Sequence, residues 1–207
     1  MSKNEKKEIW PPYQAFYIQS MLFNTEAAFR SVSQVQALMS VTMENSPEDP
    51  YSPLYGGRFL NELQNVVLHA AALSRYFWPV RKDHHWRGEH LREVFQITED
   101  SALHSRDLRN AIEHFDEKLD TYVEGGIVGH ILPEYIGPFS ESTGVPVHIF
   151  RGYYVDTGVF QLLDNQYEVQ PILGEVGRIH EQLKKMDKSG GGFLRGTEIP
   201  NELTTVR

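Results

Sequence analysis

The chain has 207 residues, 40% of them hydrophobic, no cysteine and a formal net charge of −8. That length suits a single domain able to fold without disulfides or a structural metal. The missing cysteine excludes disulfides, thiolate zinc sites and a cysteine nucleophile, and the acidic balance argues against a broad basic surface for duplex nucleic acid.

The first residues, MSKNEKKEIWPP, are charged and carry no apolar core of a secretory signal. Pro11 and Pro12 suit the first positions of a helix, where a missing N–H costs nothing. From Tyr13 to about Glu44 there is no Gly or Pro, and Phe16, Ile18, Met21, Leu22, Phe29, Val32, Val35, Leu38 and Met39 recur at mostly three- and four-residue steps. The spacing predicts a long helix with a wide apolar stripe. Asn45 to Gly57, rich in Pro and Gly, reads as a loop.

A second helix is expected from about Arg58 to Trp78, stopping before Pro79. It is apolar on more than one face and is the best candidate for the central core helix. Its VVLHAAALSRYFWPV stretch is too short and too polar to span a bilayer, so the chain reads as a cytoplasmic protein with no membrane partner. Arg81 to Ile97 reads as a polar turn and a short helix. Its His84, His85 and His90 fit no strong zinc pattern and suit a solvated loop better than a metal site. No metal and no cofactor are expected.

A third long helix is expected between about Ser101 and Glu124, ended by Gly125-Gly126. At 100° per residue, Leu108, Ile112, Phe115, Leu119, Tyr122 and Val123 form its apolar stripe. Arg109 and His114 fall about 140° apart, with Asn110 between them. On periodicity alone this face reads as solvated, with Arg109 paired to Glu113 and Asn110 bonded to His114. The segment from 125 to 146 reads as a long Gly/Pro-rich loop with scope for function. VHIFRGYYV, VFQLL and QYEVQPI, separated by Asp156-Thr157-Gly158 and Asp164-Asn165, read as a small antiparallel hairpin or meander within about 145–170. A last helix, about Ile172 to Met186, is weakened by Gly174 and Gly177. The expected organisation is one helical domain over 1–187 and a flexible tail over 188–207.

Arg109-Asn110-Ala111-Ile112-Glu113-His114 resembles the R-N-x-x-x-H signature of the HEPN superfamily (higher eukaryotes and prokaryotes nucleotide-binding). The apolar positions around it, and the preceding core helix ending in SRYFWP, are also similar, over about Tyr13 to Glu124. The resemblance implies a mainly α, antiparallel helical bundle, here with an added C-terminal β-hairpin or meander and a final helix. It implies a metal-independent endoribonuclease of toxin or phage-defence type, working as a homodimer and in some cases with an antitoxin or other partner protein. It further implies that His114 acts as general acid or base in attack of an RNA 2′-hydroxyl on phosphate. Arg109 would hold that phosphate, and Asn110 would orient the pair or the substrate. Glu113, between them in the sequence, either tunes the histidine or simply pairs with Arg109. A tyrosine two residues after the histidine marks one toxin branch, and Asp116 stands there instead. Other members are non-catalytic RNA-binding or protein-assembly modules. The aromatic residues Tyr135, Phe139, Phe150, Tyr153, Tyr154 and Phe160 offer a surface for that alternative. A conventional hydrolase is disfavoured, because no G-x-S-x-G, P-loop or dinucleotide fingerprint is present.

Overall fold

The computed structural model describes residues 7–45, 53–139 and 144–194. Over these described residues it is mainly helical, with six α-helices and one four-stranded sheet. The first helix, α1 (Pro11–Asn45), starts on its two prolines as expected. It buries Ile18, Met21, Thr25, Ala28, Ser31, Val35 and Leu38, one row at three- and four-residue steps, with Leu22 and Ala27 beside it. Phe16 does not join that row: it is 72% exposed, and Phe23 is 64% exposed. Residues 46–52 of the expected loop lie outside the described residues.

Helix α2 (Pro53–Phe77) is the central element. Phe59, Leu60, Leu63, Val66, Val67, Ala70, Leu73 and Phe77 are all buried, which is why its sequence shows no single apolar stripe. After one 3₁₀ turn (Lys82–His84), helix α3 (His85–Phe95) packs back on the end of α2. Gly88 makes that approach close, because a Cβ there would lie 2.4 Å from the Phe77 carbonyl oxygen and 2.6 Å from Pro79 Cδ. His84 and His85 are exposed, as a solvated turn requires. His90 is instead buried on α3, its ring 5.9 Å from that of Phe193.

The expected third helix is two. Helix α4 spans Asp107–Glu113 and helix α5 spans Phe115–Glu124, with His114 between them at φ −116°, ψ 37°. The two segments serve different surfaces. Leu108 and Ala111 of α4 are buried in a cluster with Leu63 and Val67 of α2. Over α5 lie sheet residues: the Arg151 guanidinium sits 4.0 Å above the Phe115 ring, and Phe150 meets Tyr122 at 6.3 Å. A straight helix would have to carry one stripe past both surfaces. No residue of α5 is fully buried, and Val123, placed on the apolar stripe by the helical wheel, is 44% exposed.

The sheet has the order β1–β2–β3–β4, with β1 over His130–Gly137, β2 over Val147–Tyr154, β3 over Val159–Leu162 and β4 over Asn165–Glu168. β2, β3 and β4 form the expected antiparallel meander, in register Tyr153↔Phe160↔Tyr167. The sheet is nonetheless mixed rather than purely antiparallel. Strand β1, inside the segment read as loop, pairs parallel to β2 from His130↔Val147 to Gly137↔Tyr154. Pro133 is the reason this strand does not announce itself. It has no N–H for a ladder and is tolerated only because β1 is an edge. Gly129, at φ +133°, lets the chain enter β1 beside Pro146, whose carbonyl oxygen a Cβ would meet at 2.2 Å.

Helix α6 (Gln170–Lys188) runs two residues further at each end than its sequence suggests. It buries Val176, Ile179, Leu183 and Met186 against α1 and α3 despite its two glycines. In the expected tail, Phe193 and Leu194 pack on this core, and Phe193 N–H donates to Gln14 Oε1 at 2.8 Å. Residues 195–207 lie outside the described residues. The core thus has two clusters, one around α1, α2, α3 and α6, the other where the sheet caps the opposite end of α2.

Candidate functional site

The break at His114 opens a cleft of about 960 Å³ between α5 and the sheet. Asn110, His114, Glu117, Lys118, Thr121 and Tyr122 line one side. His148 at the start of β2 and Leu163, Asp164 and Asn165 at the β3–β4 turn line the other. Leu163 holds a left-handed backbone, φ 52°. A branched leucine resists that conformation, so the turn beside the cleft is strained, a common trait of functional loops.

The R-N-x-x-x-H residues divide. Asn110 and His114 face the cleft, while Arg109 is not among its lining residues. The Arg109 side chain is only 16% exposed and makes an ion pair with Glu113 at 3.4 Å, the pair that four-residue spacing predicts. Glu113 is shared, since Arg75 Nη2 reaches its other oxygen at 3.4 Å. Arg109 also donates from Nη2 (2.5 Å) and Nε (3.1 Å) to Asn110 Oδ1. That grip occupies the amide oxygen and leaves the two N–H groups as what Asn110 offers the cleft. The bond anticipated between Asn110 and His114 side chains is replaced by this one. His114 is 56% exposed on its side chain, with Nδ1 3.7 Å from Glu117 Oε1.

A second histidine, His148, was not singled out by the sequence. Its Nε2 lies 3.2 Å from the Val128 carbonyl oxygen, which can only accept. Nε2 therefore carries the proton, and Nδ1 accepts the Tyr122 hydroxyl hydrogen at 2.5 Å. Burial, and then the negative charge of Asp164, push the Tyr122 phenol above its ordinary value, so it stays protonated at neutral pH. Tyr122 and His148 are 26 positions apart. No local spacing rule joins them, and only the packing of α5 over β2 does.

Among the described residues Lys118 is the one lysine or arginine on the cleft lining, and Glu117 and Asp164 are its carboxylates. Among the described residues no group of three or more His, Asp or Glu side chains is placed to hold a metal ion. No described helix is long and apolar enough to cross a membrane. Comparison with protein-family models, with curated proteins and with solved structures finds no match.

Proposed function

We propose that the chain is a metal-independent endoribonuclease of HEPN type acting in the cleft between α5 and the sheet. The observation that carries the reading is that His114 and the Tyr122–His148 pair line one cleft with Asn110 and Lys118. RNA cleavage without a metal needs two proton-transfer groups and donors for the phosphate. In this reading His114 accepts the proton of the 2′-hydroxyl as its oxygen bonds to phosphorus. The bond from phosphorus to the 5′-oxygen breaks, and that oxygen needs a proton. When His148 is protonated on Nδ1, the ring donates to the Tyr122 oxygen and the phenol hydrogen is free to turn towards the leaving group. His148 then replaces the proton that Tyr122 gives up. Lys118 and the Asn110 N–H groups meet the phosphate charge. Arg109 acts through Asn110 as a positioning residue. A homodimer remains part of the proposal, with each chain carrying its own cleft.

The test is cleavage of a mixed-sequence RNA by the purified chain in EDTA. His114→Ala should lower the rate by about 10² to 10⁴, and Tyr122→Phe should lower it as well, both without loss of fold by circular dichroism. Undiminished cleavage by His114→Ala would overturn the assignment.

One observation favours a second reading, a non-catalytic assembly module. Val128, Ile131, Leu132, Val145 and Val147 are all exposed at and around the edge strand β1, and grouped apolar exposure marks partner surfaces. An inert chain that associates through β1 would support it.

A further inference from the structure

On the other side of α2 from the sheet, α1, α2 and α3 border a second, open pocket of about 320 Å³, lined by Asn24, Ala72, Arg75, Tyr76 and Arg87. That is at the lower end of small-ligand sites, roughly 300–1,000 Å³. Two guanidiniums face this small volume, and among the described residues no carboxylate is on its lining. The charges are poorly compensated. Arg87 makes no ion pair among the described residues. It donates from Nη2 to the Arg75 carbonyl oxygen at 3.0 Å, lies 5.9 Å from the centre of the Tyr76 ring, and its Nε is buried with no acceptor. Among the described residues Arg75 pairs only with Glu113, at 3.4 Å, and shares it with Arg109. In a chain of net charge −8, one cation with no carboxylate among the described residues beside another that shares its carboxylate is an arrangement that an anion would complete.

We infer that this pocket binds a terminal phosphate monoester. The charge selects it: two guanidiniums match a dianion better than they match a carboxylate or a backbone phosphodiester, each of which carries one negative charge. The guanidinium fork suits phosphate oxygens in geometry as well, and the Tyr76 ring with Ala72 gives the attached organic group an apolar wall. The ligand competes with Glu113 for Arg75. Glu113 also holds Arg109, and through it Asn110, so occupancy is communicated to the cleft along Arg75, Glu113, Arg109 and Asn110.

The inference does not rest on the nuclease reading, because binding is measured without turnover. The probes are inorganic phosphate, AMP, adenosine, and short 2′-O-methyl oligoribonucleotides with and without a 5′-phosphate, titrated calorimetrically. AMP should bind and adenosine should not. Arg75→Gln and Arg87→Gln should each weaken AMP by about tenfold or more, the loss of a charge-assisted bond. Arg75 is 55% exposed on its side chain, so its variant tests the site even if Arg87→Gln fails to fold. Glu113→Gln should tighten binding, which a purely structural pair of arginines would not produce. If the phosphorylated oligonucleotide binds and AMP binds weakly, the source is an RNA 5′ end. If the order is reversed, the source is a free nucleotide. The inference is overturned if neither AMP, phosphate nor the phosphorylated oligonucleotide binds, or if Arg75→Gln binds as tightly as the unaltered chain.

Discussion

Asn110 shows how much a single side chain's environment alters its use. Its oxygen is taken by Arg109, so it presents donors to the cleft. Asn110→Asp keeps the shape and strengthens the bond to Arg109, but puts a carboxylate where a phosphate is proposed to sit. Cleavage should fall by about 10² to 10³ while the melting temperature holds or rises. A matching fall in melting temperature would mean the residue is structural only. The chemistry of Arg109, Asn110, Glu113 and His114 was legible as residue types at a suggestive spacing. The partition between them was not, because a wheel drawn for one straight helix cannot foresee that the backbone turns at His114. His148 was beyond reach for another reason: its partner is a tyrosine on a different element.

Helix contacts govern what can be read at the next scale. The stripes of α1 and α2 were plain because they repeat over several turns. Strand β1 was hidden because Pro133 breaks the pattern that a paired strand usually shows. Gly88 fixes the α2–α3 approach, and Gly88→Ala would press a methyl group onto the Phe77 carbonyl and the Pro79 ring. That overpacking should cost about 1–3 kcal/mol, read as a lower urea midpoint. Between α1 and α6, His180 sits against the Phe29 ring and bonds through Nδ1 to buried Thr25 at 2.9 Å. Burial first, then Lys184, hold His180 below its ordinary value, with Glu181 and Glu26 opposing. His69 is lowered as well, by burial and then Arg30. A histidine depressed in the folded state binds its proton more readily when unfolded. Its stabilising effect is therefore complete above the unfolded value near 6.5 and is lost as pH falls through the folded one. The urea midpoint should drop from pH 7 to pH 5, and His180→Gln should shrink that drop. Glu175 does not confound the window. Its bond to Arg178 holds it below its ordinary 4.5, so its contribution is lost only in more acid solution.

At the scale of the molecule, the sheet that caps one end of the bundle also supplies the far wall of the cleft. Both proton-transfer groups of the proposed site, His114 and the Tyr122–His148 pair, thus come from one chain. The resemblance implied a homodimer, and with Arg109 and His114 about 140° apart on a straight helix a second copy could have supplied half of one site. The two arrangements separate in a mixing experiment. His114→Ala and His148→Ala, each inactive alone, should stay inactive when unfolded together and refolded as a mixture. Recovery of roughly a quarter of the unaltered activity, since random pairing makes about half the dimers mixed and leaves one of two shared sites intact in each, would place the halves on different chains.

The contact between α1 and α6 has one more consequence. Ile179, Leu183 and Met186, which cover Ile18, Met21 and Leu22 in the shared core, are made some 160 positions later in the sequence. At about 5–20 residues per second, the ribosome leaves that part of the first helix uncovered on this side for roughly 8–30 seconds in every round of synthesis. Throughout that interval the nascent chain carries an apolar row with no cover from its own last helix.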